Sequence, residues 1–168
     1  TIFVAIMASS IKNLSDFSHI QVADASPFKF AIVVAQWNAE ITGALLNGAI
    51  KGLEEHGAKE NNIQVIEVPG SFELISGADL AFRNQGFDAV ICLGCVIQGE
   101  TRHFDFICDA VANGIANVGL KYNKPAVFGV LTTDNLQQAL DRAGGKHGNK
   151  GEEAAITAIQ MAAIAKKI

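Results

Sequence analysis

The sequence offers little for a nucleic acid to hold. It has one Trp, one Tyr and no basic run, and its formal net charge is −4, so both the electrostatic footprint and the stacking aromatics of nucleic-acid binding are missing. It is also short of the material for a disulfide framework: three cysteines, Cys92, Cys95 and Cys108, are odd in number and lie in or beside apolar segments, as reduced thiols do. No apolar run approaches the ~20 residues of a membrane span. The opening TIFVAIMASS lacks the basic residues that begin a secretory leader, so a cytoplasmic protein with no membrane partner is expected. No GxGxxG follows the first apolar run, no GxxxxGK[ST] occurs, and no Cys/His/Asp spacing reads as a ligand set, so no metal and no cofactor is expected. Charge itself is scarce, at 18% against 49% hydrophobic residues. In a chain of 168 that predicts one domain with faces covered by copies of itself.

What is present is a repeat of strand, loop and helix. FKFAIVVA (28 to 35) is apolar throughout, as a strand covered on both faces should be, and Ile41, Leu45, Ala49 and Leu53 follow at helical spacing until His56 and Gly57. IQVIEV (63 to 68) precedes a helix over 71 to 85, and DAVICL (88 to 93) precedes one over 104 to 121. AVFGVL (126 to 131) is the fourth strand. Asp134 is placed to cap a helix over 134 to 142, and a last helix over 152 to 166 follows the glycine-rich GGKHGNKG. The pattern predicts a three-layer α/β/α sandwich of the flavodoxin-like kind around a four-stranded parallel sheet. Residues 1 to 27 read as an N-terminal arm and 28 to 168 as a single α/β domain.

Ligands of open α/β sheets bind at the carboxyl ends of the strands, and the turns there are chemically loaded. They read QWNAE, PGSFE, GCVIQGETRH and TTDN. Gly99, Glu100 and Thr101 precede a helix start, where backbone N–H groups favour an anion, with Arg102 beside them and His103 as a proton carrier; the plainer alternative makes Thr101 a cap and His103 a solvated residue. Trp37 either stacks on a flat heterocycle or anchors a subunit contact. Ser71 reads as a cap, which leaves the bulky Phe72 and the carboxylate of Glu73 at the same rim. RAGGKHGNK (142 to 150) is either a solvated loop or a phosphate grip led by Arg142. Cys95, with His103 eight residues on, is either a nucleophile or an inert thiol among apolar neighbours.

Taken together, QWN, VPGSFE, GCVIQGETRHFD, FGVLTT and RAGGKHGNKGEEAA resemble the motifs of the lumazine synthase family, in order from about Phe28 to Ile164. The resemblance implies a transferase of riboflavin biosynthesis, condensing 5-amino-6-(D-ribitylamino)uracil with 3,4-dihydroxy-2-butanone 4-phosphate to 6,7-dimethyl-8-ribityllumazine, phosphate and water. It implies that Trp37, Ser71, Phe72, Glu73, Cys95, Val96, Ile97 and Phe128 bind the pyrimidine. Glu100, Thr101, Arg142, Lys146 and Lys150 are implied to take the butanone phosphate, and His103 to transfer protons. Two positions depart from the family pattern. Cys95 stands where Thr or another small residue is common, and Glu100 puts a carboxylate in the phosphate loop, where it is expected to point away from the anion. The resemblance further implies homo-pentamers with active sites between neighbours, each arm adding a strand to the adjacent sheet. The short GGKHGNKG loop is compatible with a shell of sixty subunits, an icosahedral capsid, and riboflavin synthase is a candidate partner. A cysteine hydrolase or amidotransferase using Cys95 and His103, and a non-catalytic flavin or lumazine carrier, are the competing readings.

Overall fold

The computed structural model describes residues 16–84 and 86–168. Most of the arm, including the strand expected over residues 1 to 8, lies outside the described residues. The chain then runs β1 (Phe30–Ala35), α1 (Ala39–Glu55), a single 3-10 turn at Glu60–Asn62, β2 (Ile63–Val68), α2 (Leu74–Asn84), β3 (Ala89–Ile97), α3 (His103–Tyr122) and β4 (Ala126–Thr133). After these come α4 (Leu136–Arg142), a short hairpin of β5 (Ala143–Gly145) and β6 (Gly148–Asn149), and α5 (Lys150–Lys167).

The four long strands form a parallel sheet in the order β2-β1-β3-β4. Strand periodicity sorts the core into two layers. Phe30, Ile32 and Val34 of β1, with Ala89, Ile91, Leu93 and Cys95 of β3, pack on the side of α1, α4 and α5. Ala31, Val33, Ala35, Val90 and Cys92 pack on the side of α2 and α3. This is the three-layer sandwich expected, and it explains why β1 reads as unbroken apolar sequence: all six of its residues are buried.

Close helix contact is bought with glycine on the α1 side. A Cβ on Gly52 would stand 3.1 Å from the Ala155 methyl, and one on Gly151 would run into the Leu45 carbonyl. Asn149 caps α5 by accepting from the Gly151 N–H at 2.8 Å and ties the hairpin to α1 by donating to the Ala44 carbonyl at 3.0 Å.

Several boundaries differ from those expected. β3 runs to Ile97 rather than stopping at 93, because β4 extends to Thr133 and supplies partners for Cys95, Val96 and Ile97. α2 begins at Leu74, three residues later than expected, because Pro69–Glu73 is spent on a turn; Ser71 joins the helix through its carbonyl, which accepts from Leu74 N–H at 3.3 Å. Asn135, not Asp134, caps α4, accepting from Gln138 N–H at 3.0 Å. α5 starts at Lys150 rather than 152, and GGKHGNKG is an antiparallel hairpin rather than an open loop.

Candidate active site

The sheet order contains one topological switch. From β1 the chain goes to β2 on one side and then crosses to β3 on the other, so a crevice opens at the carboxyl ends of β1 and β3. Three of the four loaded turns converge there. The β1–β2 ladder is prolonged past Ala35 by Gln36 N–H donating to the Val68 carbonyl at 2.8 Å and Trp37 N–H donating to the Pro69 carbonyl at 3.1 Å. Trp37 is thereby laid over the PGSFE turn, where a Cβ on Gly70 would stand 2.8 Å from Cε3 of the indole and 3.0 Å from Oε2 of Glu73. Glycine is what lets ring and backbone meet. The indole remains 69% exposed, a flat apolar face offered outward beside a carboxylate.

Ser71 is 7% exposed and turns inward, its Oγ 2.7 Å from where a Cβ on Gly94 would sit. Asn38 closes the other flank, its side-chain Nδ2 donating to the Cys95 carbonyl at 2.9 Å. Trp37, Ser71, Glu73 and the Cys95–Ile97 end of β3 are therefore brought together in one chain, with Phe72 half exposed at the same rim.

Beyond β3, Gln98–Arg102 forms an exposed loop leading into α3 at His103. The N-cap of α3 is Arg102, without a side-chain cap bond, and not Thr101 as expected; the Thr101 hydroxyl, one residue earlier, accepts from His103 N–H at 3.4 Å, and the Glu100 and His103 side chains face solvent. Arg102 pairs loosely with Asp105 at 3.8 Å.

The thiols are inert by environment. Cys95 is 4% exposed and lies inside β3, not past a strand end, and burial pushes its pKa up to about 11. Burial pushes the Cys92 thiol up to about 12. At neutral pH both stay protonated, and the thiol is the poorer nucleophile.

The remaining expected residues are held elsewhere on the chain. Arg142, at the end of α4, donates from Nη1 to the Gln138 carbonyl at 3.0 Å. Lys146 pairs with Asp141 at 3.0 Å, and Asp141, unremarked in the sequence, is held below the usual carboxylate range first by a hydrogen bond from Gln137 and then by Lys146. Lys150 pairs with Glu153 at 2.7 Å. Phe128, paired with Cys92 partway along β3 and 40% exposed, lines a groove of about 280 Å³ with Lys150, Glu153, Thr157 and Met161 along β4, an edge strand of the sheet. Phe128 and Lys150 are thus not brought to the Trp37 rim of their own chain.

The model of the 6,7-dimethyl-8-ribityllumazine synthase family matches residues 27–166, spanning all four turns and the hairpin. The chain belongs to that family. It is 60% identical over 157 residues to the 6,7-dimethyl-8-ribityllumazine synthase of Cytophaga hutchinsonii, covering 94% of this chain and 98% of that one. It is 53% identical to the enzyme of that name from Parabacteroides distasonis (92% and 97% covered) and 56% identical to that of Bacteroides fragilis (79% and 93%). The resemblance read from the turns is borne out. Membership makes this lumazine synthase homologue an enzyme of the transferase class in riboflavin biosynthesis. Among the described residues no helix is long and apolar enough to cross a membrane, and no group of three His, Cys, Asp or Glu side chains could hold a metal ion.

The residues that sequence reasoning passed over are Asn38, Gly70 and Gly94. An Asn before a helix reads as an ordinary cap, and a glycine in a turn as an ordinary turn glycine. What sets them apart is the neighbour each meets from a distant strand or turn.

Proposed function

We propose that the enzyme condenses 5-amino-6-(D-ribitylamino)uracil with 3,4-dihydroxy-2-butanone 4-phosphate to 6,7-dimethyl-8-ribityllumazine, releasing phosphate and water. The observation that carries this is the exposed Trp37 indole seated on Gly70 beside Glu73 and Ser71 at the β1/β3 switch, a flat apolar face flanked by hydrogen-bonding groups and suited to a polyhydroxylated pyrimidine. Phe72, Cys95, Val96 and Ile97 complete that wall. The backbone N–H groups of Glu100 and Thr101, in the loop that opens α3, receive the butanone phosphate together with the cations Arg142, Lys146 and Lys150, the Glu100 carboxylate pointing away.

The substrates bring their own amine and ketone. The protein holds them together, and positioning supplies the larger part of the acceleration. His103, exposed at the first turn of α3 next to the phosphate loop, moves protons for imine formation and for loss of phosphate and water.

In this reading each site is shared between neighbouring copies in a pentamer. The separation of Phe128 and Lys150 from the Trp37 rim supports it, since the β4 groove of one chain can close the rim of the next. Assembly of pentamers into a sixty-subunit shell, residence in the cytoplasm and delivery of product to riboflavin synthase belong to the same proposal. Mixing the purified protein with the two precursors tests it: the expected result is growth of the lumazine chromophore with stoichiometric phosphate release. A chain that binds flavin or lumazine tightly but gives no turnover is a carrier, and that result overturns the reading.

A further inference from the structure

Asn38 is one of two non-glycine residues with positive φ among those described, at φ 59° and ψ 47°, the left-handed region in which side chains other than Asn and Asp are poorly tolerated. It stands at the N-cap of α1, where an Asn side chain ordinarily accepts from the helix's free N–H groups. Here it makes no such bond. Its backbone carbonyl alone starts the helix, accepting from Ile41 N–H at 2.9 Å and Thr42 N–H at 3.0 Å. The side chain is turned the other way, to the Cys95 carbonyl of β3 at 2.9 Å.

The sheet explains why a donor is needed at that point. The β1–β3 ladder ends at Val34 opposite Leu93, whereas β3 continues beside β4 to Ile97 opposite Thr133. Past Leu93, β3 therefore has a strand partner on one side only. The Asn38 amide takes the place of the next backbone N–H of β1 for Cys95, and the left-handed turn aims it there. On the opposite flank Trp37 N–H is fixed to the Pro69 carbonyl of the β2 exit. The turn that carries the exposed indole is thus tied to both neighbouring strands, through Trp37 on one side and Asn38 on the other, and the ring is set down on Gly70.

We propose that Asn38 is a positioning residue for the pyrimidine substrate: its amide bond across the β1/β3 crevice fixes the Trp37 ring as a ready-made stacking face. The proposal rests on the pyrimidine site assigned above. An ordered ring avoids the entropy of ordering it on binding, so the effect belongs to pyrimidine affinity and not to the ketone.

Trp37 is the sole tryptophan, so its fluorescence reports on this ring alone. Asn38→Gly keeps the left-handed turn and deletes the amide, and Asn38→Asp keeps shape and turn but faces the Cys95 carbonyl with an acceptor. In the intact assembled enzyme without substrate, both are expected to raise the amplitude of the fast local component of fluorescence anisotropy decay about twofold, the nanosecond wobble of a released ring. With substrates, both are expected to raise KM for the pyrimidine about 3-fold to 10-fold, the worth of one hydrogen bond, with KM for the butanone phosphate unchanged. A raised pyrimidine KM with unaltered anisotropy means that Asn38 acts on the substrate directly, and overturns the proposal. So does a loosened ring with unchanged KM, or an Asn38→Gly enzyme matching the parent in both measurements. If the parent protein fails to turn over the two precursors, the functional assignment falls by itself, and the substrate-free anisotropy still decides whether the amide holds the ring.

Discussion

The strand-end rim and the β4 edge are built from opposite materials. At the rim, glycines at 70 and 94 and the amide of Asn38 bring an indole, a hydroxyl and a carboxylate together by contacts that all arise within one chain. Along β4, Phe128 faces outward over a shallow groove beside Lys150, whose charge is met by Glu153 of the same helix, while Lys146 at the hairpin turn is paired with Asp141 of α4. The rim is a finished surface. The edge is an apolar wall with charges held ready, and it gains meaning from whatever closes over it. The comparison teaches that the condensation proposed above would draw on two kinds of surface, one to order a flat reactant and one to supply charge, and that Phe128 and Lys150 stand apart from the Trp37 rim within a single copy.

The strongest way to break this comparison is to separate the two surfaces genetically. Under the proposed function, Trp37→Ala and Phe128→Ala are each expected to lower lumazine formation about 100-fold, since each removes one of the two aromatics proposed to enclose the pyrimidine. Co-expressed as mixed assemblies, they should regain activity, because under random mixing about a quarter of the interfaces pair an intact rim with an intact edge. No recovery in verified mixed assemblies would mean that rim and edge serve one site within one chain.

Arg142→Ala sharpens the division of charge. It is expected to raise KM for the phosphorylated ketone about 10-fold to 100-fold, the worth of a charge-assisted hydrogen bond, with little change for the pyrimidine. Equal effects on the two substrates would take Arg142 out of the phosphate grip.

His103→Ala is expected to slow turnover by about 10-fold to 100-fold without abolishing it, since proton transfer is one contribution beside positioning. Steady-state rates across pH are the check: an unchanged rate removes His103 from the mechanism. Gly70→Ala should act on the rim alone. Its Cβ pushes against the indole at 2.8 Å, so pyrimidine KM should rise about 10-fold while the ketone's stays put, and unaltered kinetics would show that the ring can shift freely.

The smallest effect is expected at Cys95. With the thiol buried and its pKa pushed up to about 11, Cys95→Ser should keep most turnover and cost about 1–2 kcal/mol of stability for a hydroxyl in an apolar layer, read from urea denaturation. Total loss of activity in a folded variant would return the thiol to candidacy as nucleophile.

Much of this molecule was legible in its sequence. Unbroken apolar runs gave the buried strands, 3.6-residue spacing gave the helices, and the turns at 36 to 40, 69 to 73 and 94 to 103 stood out because they hold more polar and aromatic chemistry than chain reversal requires. These signals are local: periodicity and turn composition depend on neighbours a few residues away. What sequence could not supply depends on partners far along the chain. β3 is nine residues long because β4 runs beside it as far as Thr133, which turns Cys95 from a turn residue into a buried strand residue. Asn38 tethers rather than caps because β1 stops pairing with β3 at Leu93 and leaves the Cys95 carbonyl to be met. Gly70 is a seat for an aromatic because a ring from the neighbouring strand's exit lies on it. Composition and spacing determined that the chemically loaded turns stand at the strand ends; only the register of the sheet decided which side chains meet there, because hydrogen-bond partners and close approaches are properties of two segments at once.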